Sequence, residues 1–131
     1  MPLDGSKNSL RGLKFALGIA KQSGSSVIGL NVYSPPMFMK TQSLIIHKMK
    51  QRSDEIIKQA EEISQKNKVP FFSVVKVSCN VGKMIITYSK SHNVDMIVIG
   101  SHGPDPELEI FLGSVANYVI NKSKIPVTIV K

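Results

Sequence analysis

Apolar residues recur at three- and four-residue spacing from Ser9 to Gln22, where Leu10, Leu13, Ala16, Leu17 and Ala20 would line one face of a helix. Ser9 is the expected N-cap and Gly24 the expected C-terminal stop. The period then shortens. Ser26 to Tyr33 is rich in β-branched and aromatic residues and ends at Ser34-Pro35-Pro36, where missing amide donors would stop a strand ladder. From Leu44 to Asn67 the helical period returns, with Met49, Ile56, Ile57, Ala60 and Ile63 on one face and Lys, Gln and Glu on the other. Val69 to Cys79 reads as a strand, and Asn80 is placed to cap a helix running to about His92, with Met84, Ile85 and Tyr88 turned inward. Met96-Ile97-Val98-Ile99 has no polar alternation, which predicts a strand buried on both faces. A helix from about Ser114 to Lys122 and a last strand from Ile125 to Val130 complete the order.

Alternating strands and helices predict an α/β fold: a doubly wound parallel sheet with right-handed crossovers and helices on both faces. The start of the chain departs from this order. Asp4-Gly5-Ser6 reads as a turn between a first strand and the first helix, but only Met1-Pro2-Leu3 stands before it, against the roughly five residues usual for a strand. An upstream start of the reading frame, a stub of a strand, or another chain in the slot would each account for the shortfall.

A length of 131 residues suits one domain, residues 1–131, and 42% hydrophobic with 20% charged residues is the composition of a chain that folds. The apolar runs fall short of the ~20 residues that span a bilayer, and no secretory pattern opens the chain, so a cytoplasmic protein is expected. The single Cys79 excludes an internal disulfide and gives too few sulfur ligands for structural zinc. Within its strand-like run it is expected to be a buried, inert thiol. Seventeen Lys and Arg against nine Asp and Glu give a net charge of +8. The positive charges, among them Lys7, Arg11, Lys14, Lys21, Lys48 and Lys58, are scattered without interleaved aromatics, which favours a solvated basic surface over a nucleic-acid footprint.

Candidate chemistry concentrates late in the chain. Gly100-Ser101-His102-Gly103 follows the buried strand, and Gly113-Ser114-Val115 opens the next helix. Ligands of parallel α/β sheets lie beyond the carboxyl ends of the strands, and a helix N-terminus offers unpaired amides and a favourable dipole to an anion. Glycine at 100, 103 and 113 would let backbone approach phosphate oxygens and permit positive φ, while the Ser114 hydroxyl could donate as well. Each helix-end interaction contributes typically ~0.3–1 kcal/mol, so several donors must converge. The spacing is neither the Walker lysine loop nor the dinucleotide fingerprint. No catalytic order accompanies His47, His92 and His102, so no catalytic or metal-ligating residue is assigned.

The pattern Gly-x2-Gly-x9-Gly-Ser, preceded by Asp95-Met-Ile-Val-Ile and followed by Lys124-Ile-Pro-Val-Thr-Ile-Val, resembles the ATP-binding branch of the universal stress protein family. Pro2-Leu3-Asp4-Gly5-Ser6 is similar to that family's opening motif with its strand cut short. The resemblance covers essentially the whole chain. It implies an adenine nucleotide alpha hydrolase-like, five-stranded sheet of order 3-2-1-4-5 and a nucleotide across its carboxyl edge. By position, Asp4 would meet the adenine, with Pro2 and the backbone around Val32 lining the base pocket. Ile99 and Gly100 would lie near the ribose, and Ser101, His102, Gly103, Gly113, Ser114 and Val115 would fall in the segment around the phosphates. It also implies a homodimer through the last strand, and the unbroken apolar run Val127 to Val130 would be an aggregation hazard as a bare edge.

One departure bears on the ligand. The segment after Gly103 reads Pro104-Asp105-Pro106-Glu107-Leu108-Glu109, and carboxylates near a polyphosphate repel it unless a divalent cation intervenes. Weakened ATP binding, competition by AMP or ADP, or a need for Mg²⁺ or Mn²⁺ follows. A nucleotide-free interaction module of the same fold and a slow ATP hydrolase are the rival readings.

Overall fold

The computed structural model describes residues 1–35, 42–103 and 112–131. Helices and strands alternate as α1 (Lys7–Ser23), β1 (Val27–Tyr33), α2 (Gln42–Asn67), β2 (Phe71–Val77), α3 (Val81–Ser91), β3 (Ile97–Gly100), α4 (Ser114–Lys122) and β4 (Val127–Val130). The expected acidic segment from Pro104 to Glu109 lies outside the described residues.

Helix ends follow from local chemistry. Ser6, not Ser9, caps α1: the Ser9 amide donates to Ser6 Oγ at 3.1 Å, and the Ser9 hydroxyl donates back to the Ser6 carbonyl at 3.0 Å. The expected cap is thus the third residue of the first turn, satisfying a donor that would otherwise be orphaned. Gly24 closes the helix in the left-handed region at φ 66°, a conformation that glycine reaches without steric cost. Asn80 caps α3 as expected, accepting from the Lys83 amide at 2.8 Å.

The expected sheet of five strands appears as two parallel ladders, β1 with β2 and β3 with β4. In place of a first strand, Met1–Leu3 makes a single parallel bridge, Pro2 to Leu30, on β1. Its bonds run from the Met1 ammonium to the Ile28 carbonyl, from the Leu30 amide to the Met1 carbonyl and from the Leu3 amide to the Leu30 carbonyl, each 2.9 Å. The even-numbered residues of β1 thus serve this segment, while its odd-numbered ones, beginning with the Val27 amide on the Pro70 carbonyl, serve β2. Burial lowers the Met1 ammonium from its ordinary value to about 5.

Two apolar clusters flank the strands. Leu13, Ala16, Leu17 and Ala20 of α1 and Ile57 and Ala60 of α2 gather with Leu3, Val27 and Val98. On the other side Ile85 of α3 and Ala116 and Val119 of α4 gather with Leu30, Ile97 and Ile99. Every residue of β3 is buried, with Val98 in one cluster and Ile97 and Ile99 in the other. An apolar strand without alternation requires such cover on both faces. β2 is different: Phe72 is 59% and Val77 54% exposed. Cys79 lies beyond the end of β2 and is exposed, which corrects the buried thiol expected of it. The strand ends two residues earlier than its apolar run suggested, at the Ser78 hydroxyl that turns the backbone toward Asn80.

Candidate functional site

At the carboxyl ends of β1 and β3 the chain encloses an open hollow of about 390 Å³, within the ~300–1,000 Å³ usual for small-ligand sites. Pro2, Asp4, Val32, Ile99, Gly100, Ser101, His102, Gly103, Gly113, Ser114 and Val115 all line it. The structure therefore brings every sequence-selected residue to one cavity, although the N-terminal segment and α4 are a hundred residues apart in the chain.

The floor is set by β1 and β3. Leu30, Val32 and Ile99 face the α3 and α4 side of the strands and present an apolar surface to the hollow. Val81 and Ile85, one helical turn apart on α3, extend that surface; sequence reasoning did not select them. The signal was present, because a helix that follows a parallel strand begins at the strand's carboxyl end. Asn80 as a cap therefore places the first turns of α3 beside the ligand edge.

The rim is made of backbone. The Ser101 amide donates to the Val130 carbonyl at 2.8 Å, extending the β3–β4 ladder by one step, and the Gly113 amide donates back to the Ser101 carbonyl at 2.8 Å. This second bond joins the loop after β3 to the start of α4. Asn117 is the donor to the Gly113 carbonyl, so the amides of Ser114, Val115 and Ala116 precede the intrahelical ladder. Gly113 supplies no side-chain cap. Buried Ser101 and half-buried His102 complete this side, with His102 Nδ1 and Ser101 Oγ hydrogen-bonded at 3.0 Å.

The three glycines play unlike parts. A Cβ on Gly100 would lie 2.9 Å from the Asn8 carbonyl carbon and 3.0 Å from the Ser9 nitrogen, so this residue is small because the start of α1 crosses it. A Cβ on Gly113 would press on the Ser101 oxygen and the His102 Cα, both at 3.3 Å. At Gly103 the neighbour of an added Cβ among the described residues is Asp4 Oδ2 at 3.3 Å. The expected positive φ is not used at any of them: among the described residues, Gly5 and Gly24 are the glycines with positive φ, and Gly113 sits at −56°. Close backbone approach, rather than left-handed geometry, keeps Gly100 and Gly113 small.

Asp4 lines the same hollow and meets the rim at Gly103. Its Oδ1 accepts the Ser6 amide at 2.9 Å, an Asx turn that leads into α1. Its Oδ2 is the atom next to Gly103. A carboxylate accepts hydrogen bonds and does not donate, so a group bound against Asp4 must bring the donor, whereas a group bound at the start of α4 must accept. The hollow is therefore polarised between an anionic end and an amide-rich end above an apolar floor. Among the described residues no cluster of metal-ligating side chains occurs, and no helix is long and apolar enough to cross a membrane.

Fold and hollow together define a small α/β protein with a cavity at the carboxyl ends of its parallel strands. The universal stress protein family model matches residues 1–131, and the chain belongs to that family. The universal stress protein MJ0531 of Methanocaldococcus jannaschii is 28% identical over 136 residues, covering 100% of this chain and 79% of that one. MJ0577 of the same organism is 32% identical over 111 residues, which cover 80% of this chain and 62% of that protein's length. The solved structure of MJ0577 superposes with a TM-score of 0.89 at 25% identity, covering 99% of this chain and 92% of that one. A universal stress protein from Archaeoglobus fulgidus, solved in complex with dAMP, gives a TM-score of 0.71 at 25% identity, with 98% and 91% covered.

Proposed function

We propose that this protein binds an adenine nucleotide in the hollow, as a cytoplasmic universal stress protein that regulates through a nucleotide-dependent homodimer. The observation that carries the reading is the meeting of Gly103, Gly113 and the first-turn amides of α4, which precede the intrahelical ladder, with Asp4 in a single cavity. The phosphates lie at the amides of Ser114, Val115 and Ala116, where donors and helix dipole act together. The sugar or base brings its donors to Asp4, and the apolar floor of Val32, Ile99, Val81 and Ile85 takes the flat faces. The dAMP bound by the Archaeoglobus fulgidus relative supports this ligand class.

The finer assignments follow the same line. AMP, ADP and ATP all fit the donor set, and a polyphosphate brings Mg²⁺ or Mn²⁺ to offset Asp105, Glu107 and Glu109. The sheet order 3-2-1-4-5 reads here as β2, β1, the Met1–Leu3 segment, β3, β4 in a single domain. The free side of β4 then pairs with its copy, covering Val127 to Val130. Denaturing the purified protein and weighing the released small molecules tests the reading: an adenine nucleotide in stoichiometric yield is expected. A protein that releases none and also fails to bind added AMP, ADP or ATP is instead a nucleotide-free interaction module.

A further inference from the structure

We infer that Asn31 and Ser53, neither of which lines the hollow, are positioning residues that hold Asp4 in place at its rim. The inference rests on the nucleotide reading of that hollow for its function, but the geometry stands apart from it. Asn31 is 4% and Ser53 2% exposed, in a layer otherwise filled by Ile57, Ala60, Leu13 and Leu17. Ser53 Oγ, on α2, donates to Asn31 Oδ1 at 2.7 Å, and Asn31 Nδ2, on β1, donates to the Leu3 carbonyl at 2.7 Å. One chain of short hydrogen bonds thus links α2 through β1 to the peptide that joins Leu3 to Asp4.

Two physical points make this more than core filling. Buried amide and hydroxyl groups cost several kcal/mol unless satisfied, and two apolar side chains would fill the same space without that demand. What the polar pair adds is a fixed position for one carbonyl. The bonds of Met1–Leu3 to the β1 backbone run as far as the Leu3 amide on the Leu30 carbonyl, and the Asn31 side-chain amide holds the next polar atom along the chain, the Leu3 carbonyl. The next residue is Asp4, whose Oδ1 is bound to the Ser6 amide and whose Oδ2 is beside Gly103. Rotation of the Leu3 peptide would swing this carboxylate away from the rim. The neighbours of Asn31 on β1, Leu30 and Val32, meanwhile form the hollow's floor. Floor and anionic end are thereby tied to one short stretch of strand.

The experiment is a double-mutant cycle on AMP affinity by calorimetry, with Ser53→Ala placed in the wild-type and the Asp4→Ala backgrounds. In the wild type, Ser53→Ala is expected to weaken AMP binding by about 3- to 10-fold, the effect of one lost hydrogen bond. With Asp4 already removed, the further loss is expected to stay under about 2-fold, because the residue through which Ser53 acts is absent. The near-isosteric Ser53→Cys, which leaves no cavity, shifts affinity the same way and serves if Ser53→Ala does not fold. In ligand-free protein, hydrogen exchange of the Ser6 amide, the donor to Asp4, is expected to speed up in the variant. Equal loss in both backgrounds, or lowered thermal stability with AMP affinity and Ser6 exchange unchanged, overturns the inference. A wild type that binds no AMP removes the nucleotide reading, and Ser6 exchange alone then decides the positioning role.

Discussion

The two ends of the hollow are built by opposite means. At the α4 end the rim is backbone: the Gly113 amide on the Ser101 carbonyl, the Ser101 amide on the Val130 carbonyl, and glycines where another peptide crosses. At the Asp4 end it is side chains: an Asx turn on Ser6, the Ser6 cap on Ser9, and the buried amide and hydroxyl of Asn31 and Ser53. A backbone rim tolerates loss of side chains and fails when side chains are added. A side-chain rim fails when they are removed. The difference teaches where each kind of substitution will act, and it fits the chemistry of each end. Fixed amides suit an anion of constant shape, and a carboxylate suits a donor that varies with the ligand.

The largest effect is expected from adding a side chain where backbone crosses backbone. Gly100→Val would drive its Cβ into Asn8 and Ser9, and overpacking of this kind costs about 1–3 kcal/mol. Urea denaturation should show that loss, with nucleotide binding weakened alongside. Gly113→Ala comes next. Its Cβ needs the Ser101–His102 backbone to give by a few tenths of an ångström, so about 1 kcal/mol of stability and roughly 10-fold in AMP affinity should go together. Unchanged AMP affinity in a folded Gly113→Ala protein would remove that residue from the phosphate end.

On the side-chain end, Ser6→Ala deletes the α1 cap and is expected to lower stability by about 1 kcal/mol in urea titration. The smallest effect sharpens the comparison most. Among the described residues Gly103→Ala meets the flexible Asp4 carboxylate and no backbone, so thermal stability should change by less than about 0.5 kcal/mol. Its added methyl lies against Asp4 in the lining of the hollow, so under the proposed function AMP affinity should fall even though the fold does not notice. A Gly103→Ala protein that is clearly destabilised but binds normally would reverse the roles given to the two ends.

Much of this was legible before the structure. Asn80 as a cap, Gly24 as a stop and the all-apolar β3 are local or periodic signals, and the structure uses each as the sequence implies. The gathering of these residues at one hollow was legible too, because parallel strands deliver their carboxyl ends to one edge whatever their separation in the chain. What was missed depends on tertiary partners. Ser53 reads as one polar residue among many on an amphipathic helix, and nothing local distinguishes it from exposed Gln51 or Asp54. Only the arrival of β1 beside α2 turns it inward. Ser6 reads from the sequence as part of the Asp4-Gly5-Ser6 turn, and it becomes the cap because the helix starts directly after that turn, where Gly5 has φ 80°. Cys79 continued an apolar run past the point where β1, ending at Tyr33, no longer supplies a partner. The glycines at 100 and 113 meet protein backbone and do not use the positive φ that glycine permits, a distinction that sequence spacing does not make.

Amide chemical-shift mapping with AMP tests the central claim most directly. Stepwise addition of AMP to the isotopically labelled protein is predicted to move the amides of Gly103, Ser114, Val115 and Ala116 together, with adenosine moving that group far less because it lacks the phosphate. Shifts that are absent there, or that gather instead on the basic exposed face of Lys7, Arg11 and Lys14, would contradict it.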